Sequence, residues 1–307
     1  MISQEKILIV GGSGFIGSHL VEDAIARGFE VTVLSLNLPK PERKFDRAEY
    51  ILADISSINE LCNALDGRQY HHVINLGGYI NHAPLSKGGV EVLNIHFIGV
   101  MNLVQCIDRS ILKTFIQFGS SDEYGNNQAP QNELQREAPI SPYSLAKVAA
   151  TQFLHMLHRA EGFPVITFRL FLTYGPGQDQ SRFIPQIIRG CLDGTSFPAS
   201  AGLQLRDFCY IDDVVEAVFV AIEKPKVRGE IVNIASGKAI TVRSVIETIQ
   251  RLIGQGTPRY GDVLYRSGEN MELYADISKA KSLLEWKPKI CLENGLKNTI
   301  DWIRDHS

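Results

Sequence analysis

The apolar run Lys6–Val10 (KILIV) leads straight into GGSGFIGSHL. No other stretch restricts the fold as tightly. A β-branched run of this length suits a buried strand. Gly11, Gly14 and Gly17 then follow at three-residue spacing, before a helical pattern over 18–27 that Gly28 would close. At such a junction the first glycine permits a tight turn. The second lets backbone approach a pyrophosphate, and the third lets helix and strand pack closely. The free N–H groups and positive dipole end of the helix then face the phosphates.

The alternation continues. Strand patterns recur at 30–35, 50–54, 72–78, 114–121 and 165–170, with helical stretches over 90–108 and 143–160. Ser57 and Glu60 have the spacing of a capping box for a helix running to Leu65. Strands separated by helices need parallel crossovers, so the fold class is α/β with a doubly wound parallel sheet, a Rossmann domain over residues 1–170. After Leu170 Pro and Gly punctuate shorter elements. Residues 171–307 are expected to form a smaller C-terminal α/β lobe, with the chain returning to the first domain at about 208–236.

Composition narrows the function. The 307 residues carry a net charge of −3 without a long basic run, which gives no footprint for nucleic acid or an anionic membrane. Cys62, Cys106, Cys191, Cys209 and Cys291 are scattered and in no C-x-x-C spacing. Free thiols in a reducing cytoplasm are the expectation, with no disulfide framework and no metal site. No apolar signal core opens the chain, and no apolar run is read as a membrane span.

The strand at 30–35 closes with Ser35-Leu36-Asn37, where a carboxylate would grip the adenosine ribose of NAD. Lys40, Arg43 and Lys44 follow and would meet a 2′-phosphate, unless they form only a solvated loop. The cofactor expected is therefore NADP, with NAD possible. Asp54 closes the next strand, either as a partner for the adenine or as a cap for the helix that follows. Phe15, Ile16, Ile55, Leu76 and Gly77 complete the expected dinucleotide contacts.

The reacting group lies in PYSLAK. Tyr143 and Lys147, four residues apart at a helix start, share one face roughly 6 Å apart along the axis. A lysine there favours the phenolate, so the tyrosine becomes a proton donor or acceptor for a carbinol oxygen. Ser121, at the end of the fifth strand, is the candidate second hydrogen-bond partner of that oxygen, with Ser120 as fallback.

These residues resemble the extended short-chain dehydrogenase/reductase family, in its nucleotide-sugar branch of epimerases and dehydratases. Gly11, Gly14, Gly17, Ser121, Tyr143 and Lys147 match its cofactor and catalytic positions, and the resemblance covers nearly the whole chain. It implies that Arg206 in RDFCYIDDV and Arg266 in RSGENMELYADISKAKSLLEW hold a substrate diphosphate, for which a planar guanidinium is suited. It implies that Arg182 and Phe183 lie near the substrate nucleotide. It also implies a homodimer built from the helices at 90–108 and 143–160. Leu172 departs from the family, which often has Asn there. Asp122 and Glu123 resemble the acid and base of 4,6-dehydratases, in a loop one residue shorter, and are either dehydration catalysts or turn residues.

The function expected is reduction of the C4 ketone of a nucleoside-diphosphate 4-keto-6-deoxyhexose. A 4-epimerase that retains NAD is the alternative, and a 4,6-dehydratase the third. A non-enzymatic dinucleotide sensor fits poorly, because Tyr143 and Lys147 are both present.

Overall fold

The structure is a computed structural model, and it describes residues 4–265 and 269–306. Six strands form in the order the apolar runs dictate: β1 (Lys6–Val10), β2 (Glu30–Ser35), β3 (Ala48–Leu52), β4 (His72–Asn75), β5 (Thr114–Ser120) and β6 (Val165–Leu170). Successive neighbours among them pair in parallel. A seventh strand, β7 (Glu230–Ile234), completes the order β7-β6-β5-β4-β1-β2-β3. The order reverses between β1 and β4, which is where doubly wound sheets bind ligands. Ile7, Leu8, Ile9, Ile74, Phe115, Ile116 and Ile166 are all fully buried. That explains why these runs read as continuous apolar stretches: a parallel sheet is covered on both faces.

The helices of this part are α1 (Phe15–Ala26), α2 (Ile58–Leu65), α3 (Gly89–Leu93), α4 (Gly99–Cys106) and α5 (Pro142–Glu161). A π-helical segment at Asn94–Ile98 joins α3 to α4 into one continuous rod. By length and composition Gly89–Cys106 is apolar enough to cross a membrane, contrary to the sequence reading. Here Val92, Val100, Leu103 and Val104 on it are core residues, and Asn102 donates to the carbonyls of Ile55 and Ser56.

Two further expectations are corrected. The Ser57 side chain does not cap α2. Instead Glu60 accepts from the Asp54 N–H, so the acidic residue reaches past the N-cap to the strand end. The cysteines are not all free: Cys62 on α2 and Cys106 at the end of α4 form a disulfide, with Cα atoms 4.8 Å apart at a sequence separation of 44. Spacing along the chain carries no trace of this pairing, because packing of α2 on α4 creates it. Cys191 and Cys209 are buried free thiols and Cys291 an exposed one.

The chain divides into two compact units. The first comprises Met1–Asn126, Gln135–Leu170 and Val215–Val232; the second comprises Asn127–Leu134, Phe171–Val214 and Asn233–Ser307. The second unit is built from short strand pairs. Leu172–Tyr174 runs parallel to Phe208–Tyr210, and Ser196–Ala199 parallel to Thr257–Tyr260. Buried carboxylates organise its loops. Asp207 accepts from Ser236, Gly237 and Ala275, and Asp213 accepts from the N–H groups of Lys289 and Ile290.

Candidate active site

The glycine loop places its residues as close packing demands. Gly11 adopts φ +81°, in the left-handed region that favours glycine, and donates to the Leu34 carbonyl at 2.7 Å. A Cβ at Gly17 would lie 2.3 Å from the Gly11 carbonyl oxygen and 2.6 Å from the Gly12 Cα, so the third glycine is what lets α1 touch the turn. Gly14 is the N-cap of α1 and offers no side-chain cap. The first-turn N–H groups are thus left for an anion. Gly11, Gly14, Phe15 and Ile16 are partly exposed along this edge, while Gly17 is buried beneath it. The cradle fits a dinucleotide pyrophosphate.

At the end of β2, Ser35 is buried and its hydroxyl accepts from the Ser13 N–H at 3.3 Å. Arg43 is also buried, whereas Lys40 and Lys44 are exposed. Asp54 lies two residues past the end of β3, with its Oδ1 accepting from both the N–H and the hydroxyl of Ser56. This carboxylate therefore closes a turn ahead of α2 and bonds no N–H of the helix itself. Ile55 is buried and packs against Gly77, where a Cβ would come within 2.8 Å of its side chain. Leu76 and Gly77 follow β4, tied back by the Leu76 N–H to the Val10 carbonyl and the Gly77 N–H to Asn75.

Ser141 caps α5 through the Ser144 N–H, with Pro142 at the first helical position. That cap sets the register of Tyr143 and Lys147. Both are buried, and the Lys147 Nζ lies 5.8 Å from the Tyr143 ring centroid while donating to the Phe118 carbonyl at 2.8 Å. Burial pushes the Lys147 pKa down to about 8, opposed by the carboxylates of Glu123 and Asp122. An ammonium held here favours phenolate character on Tyr143.

Ser121 opens a short 3-10 turn, Ser121–Tyr124, and is buried. Ser120 is the cap of that turn: its hydroxyl accepts from the Asp122 N–H and its own N–H donates to Glu123. The Ser120 side chain is thus engaged in the cap of the turn, with Ser121 next to it. Glu123 is fully buried. It accepts from the Thr151 hydroxyl at 3.1 Å and from the Arg169 Nε at 3.0 Å. Arg169, itself fully buried, also pairs with Glu137. Glu123 therefore welds β5, α5 and β6 together and is not poised over a substrate.

Sequence reasoning missed two histidines. His96, on the π-helical segment, meets the Tyr143 ring edge-on at 5.0 Å, and His82 meets it at 5.3 Å. Neither lies in a motif. Only the fold brings the segment after β4 alongside α5.

In the second unit, Arg182 is the N-cap residue of a helix, Phe183–Leu192, and the Phe183 ring packs on Phe208 with centroids 6.1 Å apart. Arg206 is buried and ion-paired with Glu269. Leu172 is exposed beside Phe208. Arg266 lies outside the described residues.

Comparison with known proteins agrees with this arrangement. Residues 7–235 match the model of the NAD dependent epimerase/dehydratase family. A putative UDP-glucose 4-epimerase of Methanocaldococcus jannaschii is 30% identical over 98% of this chain and 99% of its own. A dTDP-glucose 4,6-dehydratase of Xanthomonas campestris pv. campestris is 27% identical over 96% of this chain and 92% of its own. The crystal structure of a UDP-glucose 4-epimerase from Thermotoga maritima with UDP-glucose superposes with a TM-score of 0.88, at 29% identity, covering 98% of this chain and 99% of that one.

Proposed function

The chain belongs to the NAD dependent epimerase/dehydratase family, and we propose that within it the protein is an NADPH-linked reductase of the C4 ketone of a nucleoside-diphosphate 4-keto-6-deoxyhexose. The observation that carries this reading is the end of β2. Ser35 stands where a carboxylate would hold the adenosine ribose of NAD, and its hydroxyl is engaged by Ser13. Lys40 and Lys44 lie exposed a few residues on, suited to a 2′-phosphate. A cofactor that is consumed and exchanged fits such a site better than one retained through a catalytic cycle.

Gly11, Gly14, Phe15, Ile16 and Gly17 would hold the pyrophosphate, Ser35, Asp54 and Ile55 the adenosine end, and Leu76, Gly77, Tyr143 and Lys147 the nicotinamide end. When bound, the dinucleotide supplies a hydride at nicotinamide C4. Tyr143 gives its hydroxyl proton to the oxygen of the carbonyl being reduced. Ser121 donates a hydrogen bond to the same oxygen and fixes its direction. Lys147 lowers the cost of the phenolate left on Tyr143. Arg182, Phe183, Arg206 and Arg266 would bind the nucleoside diphosphate, with Arg206 exchanging Glu269 for a phosphate oxygen.

Dehydration is disfavoured by the ion pair of Glu123, which keeps the glutamate of the resembling triplet on Arg169. Epimerisation uses the same Tyr143, Lys147 and Ser121 and is separated by cofactor behaviour. Denaturing the purified protein and identifying released nucleotide, with NADPH and NADH titrations and a panel of 4-keto nucleotide sugars, decides between them. Little retained nucleotide, tight NADPH binding and NADPH oxidation with one of the sugars are expected. Stoichiometric retained NAD overturns the reductase in favour of the epimerase. Exposed Ile98, Leu145 and Met156 on the π-segment and α5 support the homodimer, which light scattering of the eluting protein tests.

A further inference from the structure

Tyr143 is 5% exposed, and several polar side chains are grouped around it. Lys147 is buried and its ammonium is directed to the Phe118 carbonyl. His96 is buried, and its Nε2 lies 2.7 Å from the Tyr79 carbonyl oxygen, so Nε2 carries the proton and Nδ1 does not. Burial, with the Lys147 charge nearby, pushes the His96 pKa down to about 3, and the ring stays neutral. Glu123 is turned onto Arg169. All three of these groups are buried.

His82 differs from them. Its ring stands edge-on to Tyr143, centroids 5.3 Å apart and planes at 76°. Its side chain is 40% exposed, and its Nε2 is 3.6 Å from the Oδ2 of Asp122, which is 30% exposed. Both residues are held from the backbone. The Asn81 side chain accepts from the Ala83 N–H, which fixes the loop across His82. The Ser120 hydroxyl accepts from the Asp122 N–H.

Reducing a carbonyl takes up one proton per turnover, and a buried tyrosine that has given its proton away must recover it before it can act again. We propose that His82, backed by Asp122, carries protons between solvent and Tyr143. This rests on the reductase reading above. The carbonyl oxygen forms its O–H bond with the Tyr143 proton, leaving a phenolate. The protonated imidazole of His82 then gives its N–H proton to the phenolate oxygen. The neutral ring takes a replacement from water at its exposed edge, and Asp122 balances the positive charge while it is there. One solvent proton enters for each carbonyl reduced. Histidine is the side chain whose proton exchange suits neutral pH.

The test separates the first turnover from those that follow. NADPH-loaded enzyme is mixed rapidly with the 4-keto nucleotide sugar chosen from the panel, and reduced nicotinamide is followed by its absorbance. In His82→Gln the first turnover is expected to stay within about twofold of wild type, because Tyr143 enters it already protonated. The steady rate falls at least roughly tenfold, the low side of what a placed acid–base group contributes. Added imidazole restores it, and Asp122→Asn gives an intermediate loss. A first turnover slowed as much as the steady rate, or no rescue by imidazole, overturns the relay.

A second measurement needs no sugar. After a rapid jump to alkaline pH, phenolate absorbance of the wild type minus that of Tyr143→Phe isolates ionisation of Tyr143 in the cofactor-free protein. In His82→Gln this phase slows by about tenfold or more, and equal rates overturn the relay. Failure of every panel sugar with a preserved difference in the pH jump overturns the reductase reading and leaves the relay standing.

Discussion

Replacing Glu123 by Gln tests whether that carboxylate is structural or catalytic. The side chain is fully buried and accepts from the Ser120 N–H at 2.9 Å, the Thr151 hydroxyl at 3.1 Å and the Arg169 Nε at 3.0 Å. Removing its charge leaves the buried Arg169 guanidinium with Glu137 as its remaining carboxylate. Breaking a buried pair by removing one partner costs about 3–5 kcal/mol, and the surviving Glu137 puts the cost near the lower figure. A loss of about 3 kcal/mol, at a urea dependence of about 3 kcal/mol/M, lowers the unfolding midpoint by about 1 M. Far-UV circular dichroism in a urea series reads this, since Trp286 and Trp302 both lie in the second unit. Hydrogen exchange should localise the loosening to β5 and β6. A variant within about 0.5 kcal/mol of wild type that has nonetheless lost turnover would refute this reasoning and return Glu123 to a role in acid–base chemistry.

Other outcomes follow from the same geometry. Gly17→Ala forces a methyl group against the Gly11 carbonyl, so it should cost about 1–3 kcal/mol and weaken NADPH binding at least about tenfold by fluorescence titration. Gly28→Ala, with no atom within 4 Å of the new methyl, should leave NADPH binding intact. The lowered Lys147 pKa means that the folded protein holds this proton less tightly than the unfolded chain. Stability should therefore rise between about pH 8 and the ordinary lysine value of 10.5, by about 3 kcal/mol relative to Lys147→Met; a flat difference in urea midpoints across that window contradicts it. Thiol titration of the unreduced, denatured protein should find three groups, against five after reduction. Reduction should also cost about 4 kcal/mol, the chain-entropy value for a 44-residue separation, read from urea midpoints with and without reductant.

Strands buried on both faces were the most legible part of the sequence. KILIV and EVTVLS coincide with β1 and β2 because an uninterrupted β-branched run has few other places to go. The third strand lies two residues earlier than its apolar run suggests. It pairs only with β2 at the sheet edge and is half-exposed, so apolarity does not mark its ends. Motif residues were legible because their spacing is local: Tyr143 and Lys147 are one helical turn apart, and the glycines bracket one turn. Contacts made by remote segments were not. His82 and His96 reach Tyr143 across some fifty to sixty residues of chain, the Cys62–Cys106 bond depends on two helices packing, and the partners of Glu123 come from three different elements. The capping role of Ser120 also waited on the fold, since the cap of a 3-10 turn is visible only once the turn exists.

The winding of the chain between its two units bears on how the protein is made. A ribosome that has released the first 170 residues has delivered six strands of the sheet, and the flank of β6 that β7 will occupy is bare. The sheet cannot be completed until Glu230–Ile234 emerges, and before that some forty residues of the other unit have already been translated. Synthesis therefore passes through an interval in which a strand edge with buried-type residues such as Val165, Ile166 and Phe168 is open to water, the kind of edge that pairs with a neighbouring nascent chain. Codon choice and chaperone access over residues 171–232, more than over the dinucleotide motif itself, should govern how much of this protein a cell recovers folded.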